Sequence, residues 1–205
     1  MESVSLSFVW RFWIMQRMTV RIRPGFFFIL ASALLVLPFF LVISWYLAAI
    51  VHELGHYLCV KMFRKQVFQI TLGPTGALME TEAIRPHQDL VCCLAGPLLG
   101  MLLLCLAEIF PLLALCAFVQ STFNLLPLYP LDGGRVLYNG LLCLFRPESA
   151  KLLFKCVQFI TYLLLALGAV CLTFYCHWGI WPLIVVAFLI MKVKSSCKQC
   201  YQAVQ

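Results

Sequence analysis

Charge is scarce in this chain. Only 11% of its 205 residues are Asp, Glu, Lys or Arg, against 63% hydrophobic. Soluble domains carry about a quarter charged residues, so an ordinary water-soluble globule is excluded. Aspartate occurs only at 89 and 132, and histidine only at 52, 56, 87 and 177. Internal repeats, low-complexity tracts and polar linkers are missing too, which leaves one compact helical domain and no room for a second globular one. The 11 cysteines show no spacing of a disulfide frame. An odd count scattered through apolar runs reads as mostly small core residues in a reducing setting. Cys197-x-x-Cys200 is only half of a metal or redox motif, without a second pair or a nearby histidine.

The formal net charge of +7 would suit nucleic acid or an anionic surface. The distribution of the 15 basic residues argues against nucleic acid. Arg11, Arg17, Arg21 and Arg23 precede the first apolar run; Lys61, Arg64, Lys65 and Arg85 lie between the second and third. Arg135, Arg146, Lys151 and Lys155 follow the fourth, and Lys192, Lys194 and Lys198 follow the last. The connections near Pro38, Phe110 and His177 hold none. Basic loops stay cytoplasmic, so an even number of crossings separates successive groups. The fold class expected is an all-α polytopic membrane protein of about six transmembrane helices, with both termini cytoplasmic and a short β-hairpin at the membrane edge.

Residues 1–23 mix Trp10, Phe12 and Trp13 with spaced arginines, as in a helix lying at the interface or a frayed basic leader. Residues 24–194 form the membrane domain, and 195–205 a cytoplasmic tail. The first two spans share Pro24–Phe63, with the turn at Pro38 and a short or oblique first span; no leader cleavage is expected there. Residues 67–82 break the pattern: Gly73-Pro-Thr-Gly76 separates two short runs of β character, a hairpin rather than a plain loop. Spans three to six follow at about 89–109, 111–131, 152–173 and 178–193, the fourth broken at its end by Pro127 and Pro130.

Against this background, ionisable side chains inside apolar runs mark function, because they are costly there. His52-Glu53-Leu-Gly-His56 is one such place. Positions i and i+4 share a helix face, so both imidazoles can hold one cation. Glu53 is turned by about 100° and reaches a water on that cation without being a ligand. Catalytic zinc takes three protein ligands and leaves a fourth position open. Asp132 is the candidate for the third: it lies where the proline-broken fourth span leaves the membrane, and His56, five residues before Lys61, lies toward the same side. His87, after Arg85-Pro86, reads as solvated in a loop, and His177 lies on the far side. Asp89 reads as the N-terminal dipole partner of span three.

His52-Glu53-Leu-Gly-His56 and Asn124-Leu-Leu-Pro-Leu-Tyr-Pro-Leu-Asp132-Gly-Gly-Arg together resemble the site-2 protease family of intramembrane zinc metalloproteases. The resemblance runs through Leu72-Gly-Pro-Thr-Gly76 and Ala95-Gly-Pro97, and covers about residues 24–140. It implies a bacterial multi-pass membrane enzyme in which His52, His56 and Asp132 bind one Zn2+, Glu53 is the catalytic acid/base and Asn124 holds substrate backbone. The partners it implies are the lipid bilayer, a membrane-associated protein substrate and inhibitory membrane proteins. It points to the sporulation branch, whose members process a sigma-factor precursor. Two departures stand out: no PDZ insertion fits between His56 and Asp132, and no CBS domain is expected after the last span. Two rivals are a metal-ion transporter lined by the same four residues and a catalytically inactive scaffold relative. The first predicts polar residues at several depths, whereas one cluster near one face is present. Retention of Glu53 speaks against the second.

Overall fold

The computed structural model of the chain describes residues 19–73 and 76–174, with the single positions 179 and 186. All but two positions of the sixth span, together with His177, Cys197, Cys200 and residues 1–18, lie outside the described residues. Six α-helices and one three-stranded sheet make up the rest. The helices are α1 (Pro24–Val36), α2 (Phe39–Met62), α3 (Pro86–Leu102), α4 (Pro111–Asn124), α5 (Asp132–Leu144) and α6 (Pro147–Phe174). The strands are β1 (Thr19–Ile22), β2 (Val67–Gly73) and β3 (Gly76–Thr81).

Prolines set the helix starts. Pro24, Pro86 and Pro111 occupy the first turns of α1, α3 and α4, where a missing N–H costs nothing. The residue before a proline is pushed toward extended geometry. Leu37, before Pro38, adopts that geometry (φ −110°, ψ 151°) and separates α1 from α2, the tight turn expected there. At the other end of α2, Arg64 takes a left-handed φ of 55°, which turns the chain toward β2. Lys65 Nζ then meets Glu82 Oε1 at 2.9 Å, tying the helix exit to the end of the sheet. That ammonium holds the Glu82 carboxyl below its ordinary range.

Two expectations need correction here. The hairpin is present, but it is part of a larger sheet: β2 pairs antiparallel with β3 and parallel with β1. Thr19–Ile22 is therefore a strand, not the end of an interfacial helix. All four of its residues are exposed, so its backbone pairing with Thr71 and Leu72, rather than a buried face, fixes it. The fourth span is also shorter than expected. α4 stops at Asn124, and Leu125–Leu131 runs as an irregular, partly buried segment containing Pro127 and the cis Tyr129–Pro130 peptide.

Among the described residues, three helices are long and apolar enough to cross a bilayer: Phe39–Met62, Pro147–Phe174 and α3 with its 3₁₀ extension to Leu106. α1 and α4, of 13 and 14 residues, fall short of the ~20 residues that a full crossing requires. α3 is central, packing against α2, α4 and α5, while α6 rests on α5. One core cluster, Cys59, Val60, Val67 and Cys92, joins α2 and α3 to the sheet; another, Ala48, Cys116 and Ala117, joins α2 to α4. The outward faces of α1 and α6 carry Phe28, Leu35, Phe159 and Leu164, all exposed, a surface suited to lipid. Of the eight described cysteines, all free, four are buried and four exposed, so core packing accounts for only half of them.

Candidate metal centre

α2 carries His52 and His56 on one face, one turn apart, about 15 and 9 Å respectively (at ~1.5 Å per residue) from its Met62 end. Gly55, between them on the helix, lies against α3: a Cβ there would come 2.5 Å from the Ala95 carbonyl oxygen. Across the crossing, a Cβ on Gly96 would strike the His56 ring. Two glycines thus let α3 approach closely enough for its backbone to take part in the site. His56 Nδ1 lies 2.8 Å from the Cys92 carbonyl oxygen. A carbonyl only accepts, so Nδ1 carries the proton and a neutral ring turns the Nε2 lone pair inward.

Asp132 opens α5. Gly133 and Gly134 permit this, because a side chain at either would collide with the backbone of Leu125 or Leu128. The carboxylate is thereby brought from 76 residues away in sequence onto both imidazoles. Asp132 Oδ2 lies 3.0 Å from His52 Nε2 and 3.3 Å from His56 Nε2, and the two nitrogens are 3.2 Å apart. Asn124, the last residue of α4, places Nδ2 3.2 Å from His52 Nε2. His52 is buried, and Glu53, the next residue, is half-buried. His87 is exposed on the first turn of α3, rather than in a loop, and is not among the grouped donors.

This donor set fits a tetrahedral zinc ion on two counts. Bonds of ~2.0–2.1 Å at tetrahedral angles put neighbouring donors about 3.3–3.4 Å apart, close to the three separations here. The second count is hydrogen-bond arithmetic. A ring nitrogen offers one in-plane position, either a proton or a lone pair. His52 Nε2 faces three polar atoms within 3.2 Å, and hydrogen bonding cannot satisfy all three. A cation shared by the converging lone pairs relieves that crowding. Among the described residues, His52, His56 and Asp132 are the group of His, Cys, Asp and Glu side chains close enough to hold a metal.

A neighbouring set was missed from sequence. Asp89, on the first turn of α3, receives a bond from Arg135 Nη2 at 2.6 Å and another from Asn139 Nδ2 at 2.6 Å. Its task is wider than the dipole role expected of it: both partners stand on α5, so Asp89 fixes the helix that presents Asp132. The Cys92 carbonyl was missed as well, since a backbone acceptor leaves no mark in side-chain pattern.

No protein-family model matches the chain. A zinc metalloprotease of Methanocaldococcus jannaschii is 31% identical over 111 residues, which are 47% of this chain and 33% of that protein. Stage IV sporulation protein FB of Bacillus subtilis is 29% identical over 140 residues, 62% of this chain and 49% of that protein. The matched regions thus span a third to a half of the relatives' length. The fold matches the solved structure of a site-2 protease from M. jannaschii with a TM-score of 0.58 at 21% identity, covering 86% of this chain and 89% of that one.

Proposed function

We propose that this chain, a member of the site-2 protease family by its sequence relatives and its fold, is a zinc-dependent endopeptidase that cuts a membrane-associated protein substrate near the cytoplasmic face. The observation that carries the proposal is the convergence of His52, His56 and Asp132 within 3.0–3.3 Å of one another inside an apolar helical domain. His52 Nε2, His56 Nε2 and Asp132 Oδ2 would hold the ion. Zinc in such a site supplies Lewis acidity, polarising a peptide carbonyl and acidifying water toward a pKa of ~7. Glu53 takes the proton of the attacking water and delivers it to the departing amide nitrogen, as one general acid/base serving both halves of the reaction. Asn124 Nδ2 points at the same place and donates to the substrate backbone there.

A substrate helix hides its own carbonyls, so the segment to be cut must be extended. β3 pairs with β2 along one edge, and among the described residues its other edge has no strand partner. Strand addition along that edge would hold the substrate open through main-chain hydrogen bonds. The finer assignments rest on the likeness to the sporulation relative and on the basic-residue pattern. These are a sigma-factor precursor as substrate, inhibitory membrane proteins as partners, and cytoplasmic termini flanking a protease domain over 24–194.

The decisive experiment is Glu53→Gln, which keeps size and hydrogen bonding but removes the base. Purified variant should retain zinc at wild-type stoichiometry and lose cleavage by at least the ~10²-fold typical of a lost acid/base. Undiminished turnover would refute the role of Glu53. The same inert variant, expressed in cells and captured with its bound proteins, gives the substrate by mass spectrometry.

A further inference from the structure

We infer that the Ser121 hydroxyl positions His52 for metal binding, through one water that bridges the two beside Gly100. The inference rests on the zinc reading and concerns a residue that the family motifs do not include. It begins from an asymmetry between the two histidines. His56 has an outer partner, the Cys92 carbonyl. His52, only 4% exposed, has a buried Nδ1 with no hydrogen-bond partner among the described residues. A ligating histidine nearly always gives its second ring N–H to an acceptor, which fixes both tautomer and ring orientation. Without one, the proton has no reason to stay on Nδ1, and Nε2 is not held as a lone pair facing the ion.

Ser121 is the complementary orphan. It is 1% exposed, and its buried Oγ also lacks a partner. It stands on α4 three residues before Asn124, hence on the same helix face. Asn124 already reaches His52 from that face. Gly100 of α3 lies between the two orphans. A Cβ built there would be 2.5 Å from Ser121 Oγ and 3.9 Å from His52 Nδ1. Three helices therefore meet around a hydroxyl and a ring nitrogen that lie within about 6.4 Å of each other, a separation that one water can bridge. A buried water needs two to four polar partners. Here it would accept from His52 Nδ1–H and donate to Ser121 Oγ.

The test is zinc affinity of the purified full chain, measured by competition with a chromophoric chelator, with circular dichroism as the check on folding. Ser121→Ala should weaken zinc by ~10–100-fold at unchanged helix content, and Ser121→Thr, which keeps the hydroxyl, should recover most of that loss. Gly100→Ala should weaken binding as well, because its methyl would strike the Ser121 hydroxyl and displace it from the bridge. The double variant separates hydrogen bonding from packing: alanine at 121 removes the atom that the Gly100→Ala methyl would strike. The helices then pack without that clash but also without the hydroxyl, so affinity should stay low. Recovery to wild-type affinity in the double variant would make the role one of packing and overturn the inference. So would wild-type affinity in Ser121→Ala while His52→Ala loses the ion. Wild-type protein that bound no zinc would remove the metal reading itself, and this inference with it.

Discussion

One nitrogen, His52 Nε2, concentrates the chemistry of this site. It is 3.0 Å from a carboxylate oxygen, 3.2 Å from another imidazole nitrogen and 3.2 Å from a side-chain amide. The neighbouring imidazole is already committed, with its proton directed at the Cys92 carbonyl. Asp132 supplies the negative charge that offsets a divalent ion, and the apolar surroundings make that charge matter more than it would in water. Asp132→Asn preserves shape and one acceptor but removes the charge. It should lower zinc affinity by more than the ~10–100-fold cost of losing an outer partner, and cleavage should fall in parallel. Chelator competition and metal content by atomic emission check both, and normal zinc content in Asp132→Asn would move the third ligand elsewhere. The His52/His56 pair was legible from the sequence because an i, i+4 spacing survives wherever the helix lies. Ser121, Gly100 and the Cys92 carbonyl were not, because their relevance depends on where helices cross.

At the scale of elements, the site is a junction of α2, α4 and α5 arranged around α3, which adds backbone more than side chains. Gly55 and Gly96 bring α3 against α2, and Asp89 joins it to α5 through Arg135 and Asn139. Most helix positions were readable from apolar runs punctuated by proline, and the Pro38 turn follows directly from the geometry that proline imposes, but α5 lies in a stretch where no helix was expected. The end of α4 was placed too late, since Leu125–Leu131 is as apolar as the helix before it and only tertiary packing shows that it unwinds. β1 was missed for the opposite reason: Thr19–Ile22 has no apolar alternation to mark it, and pairing with β2 makes it a strand. The Asp89 clamp yields a prediction proper to this scale. A charge-assisted hydrogen bond is worth ~1.5–3 kcal/mol, and Arg135 is 44% exposed, so solvent reduces its share. Asp89→Ala should therefore cost about 1–2 kcal/mol of stability and loosen zinc, whereas Asp89→Asn, able to accept one bond, should cost less. Thermal unfolding in detergent with and without zinc measures both, and an unchanged midpoint in Asp89→Ala would show the clamp to be idle.

For the whole molecule, the question is depth and side. α2 is 24 residues long, about 36 Å at ~1.5 Å per residue, which spans a hydrocarbon core of ~30 Å. His56 lies six residues from its Met62 end and 17 from Phe39, so along the helix axis it is about 9 Å from one end and ~26 Å from the other. That position would give water a short path to the proposed ion, and the sheet packs against the same end of α2 through Cys59, Val60 and Val67. Lys61, Arg64, Lys65 and Arg85 mark the near face, and the far connection, where Glu108 is exposed, has no basic residue. If positive charge faces the cytoplasm, hydrolysis occurs on that side. A membrane-impermeant thiol reagent tests this on a background with the native cysteines replaced. Arg64→Cys and Arg85→Cys should stay protected in intact cells and react once the membrane is opened. Glu108→Cys should react in intact cells. Labelling of all three from one side would show that α3 does not cross. Reversed labelling would put the metal on the outer face and exclude a cytoplasmic substrate such as a sigma-factor precursor, while leaving the chemistry of His52, His56, Asp132 and Glu53 untouched.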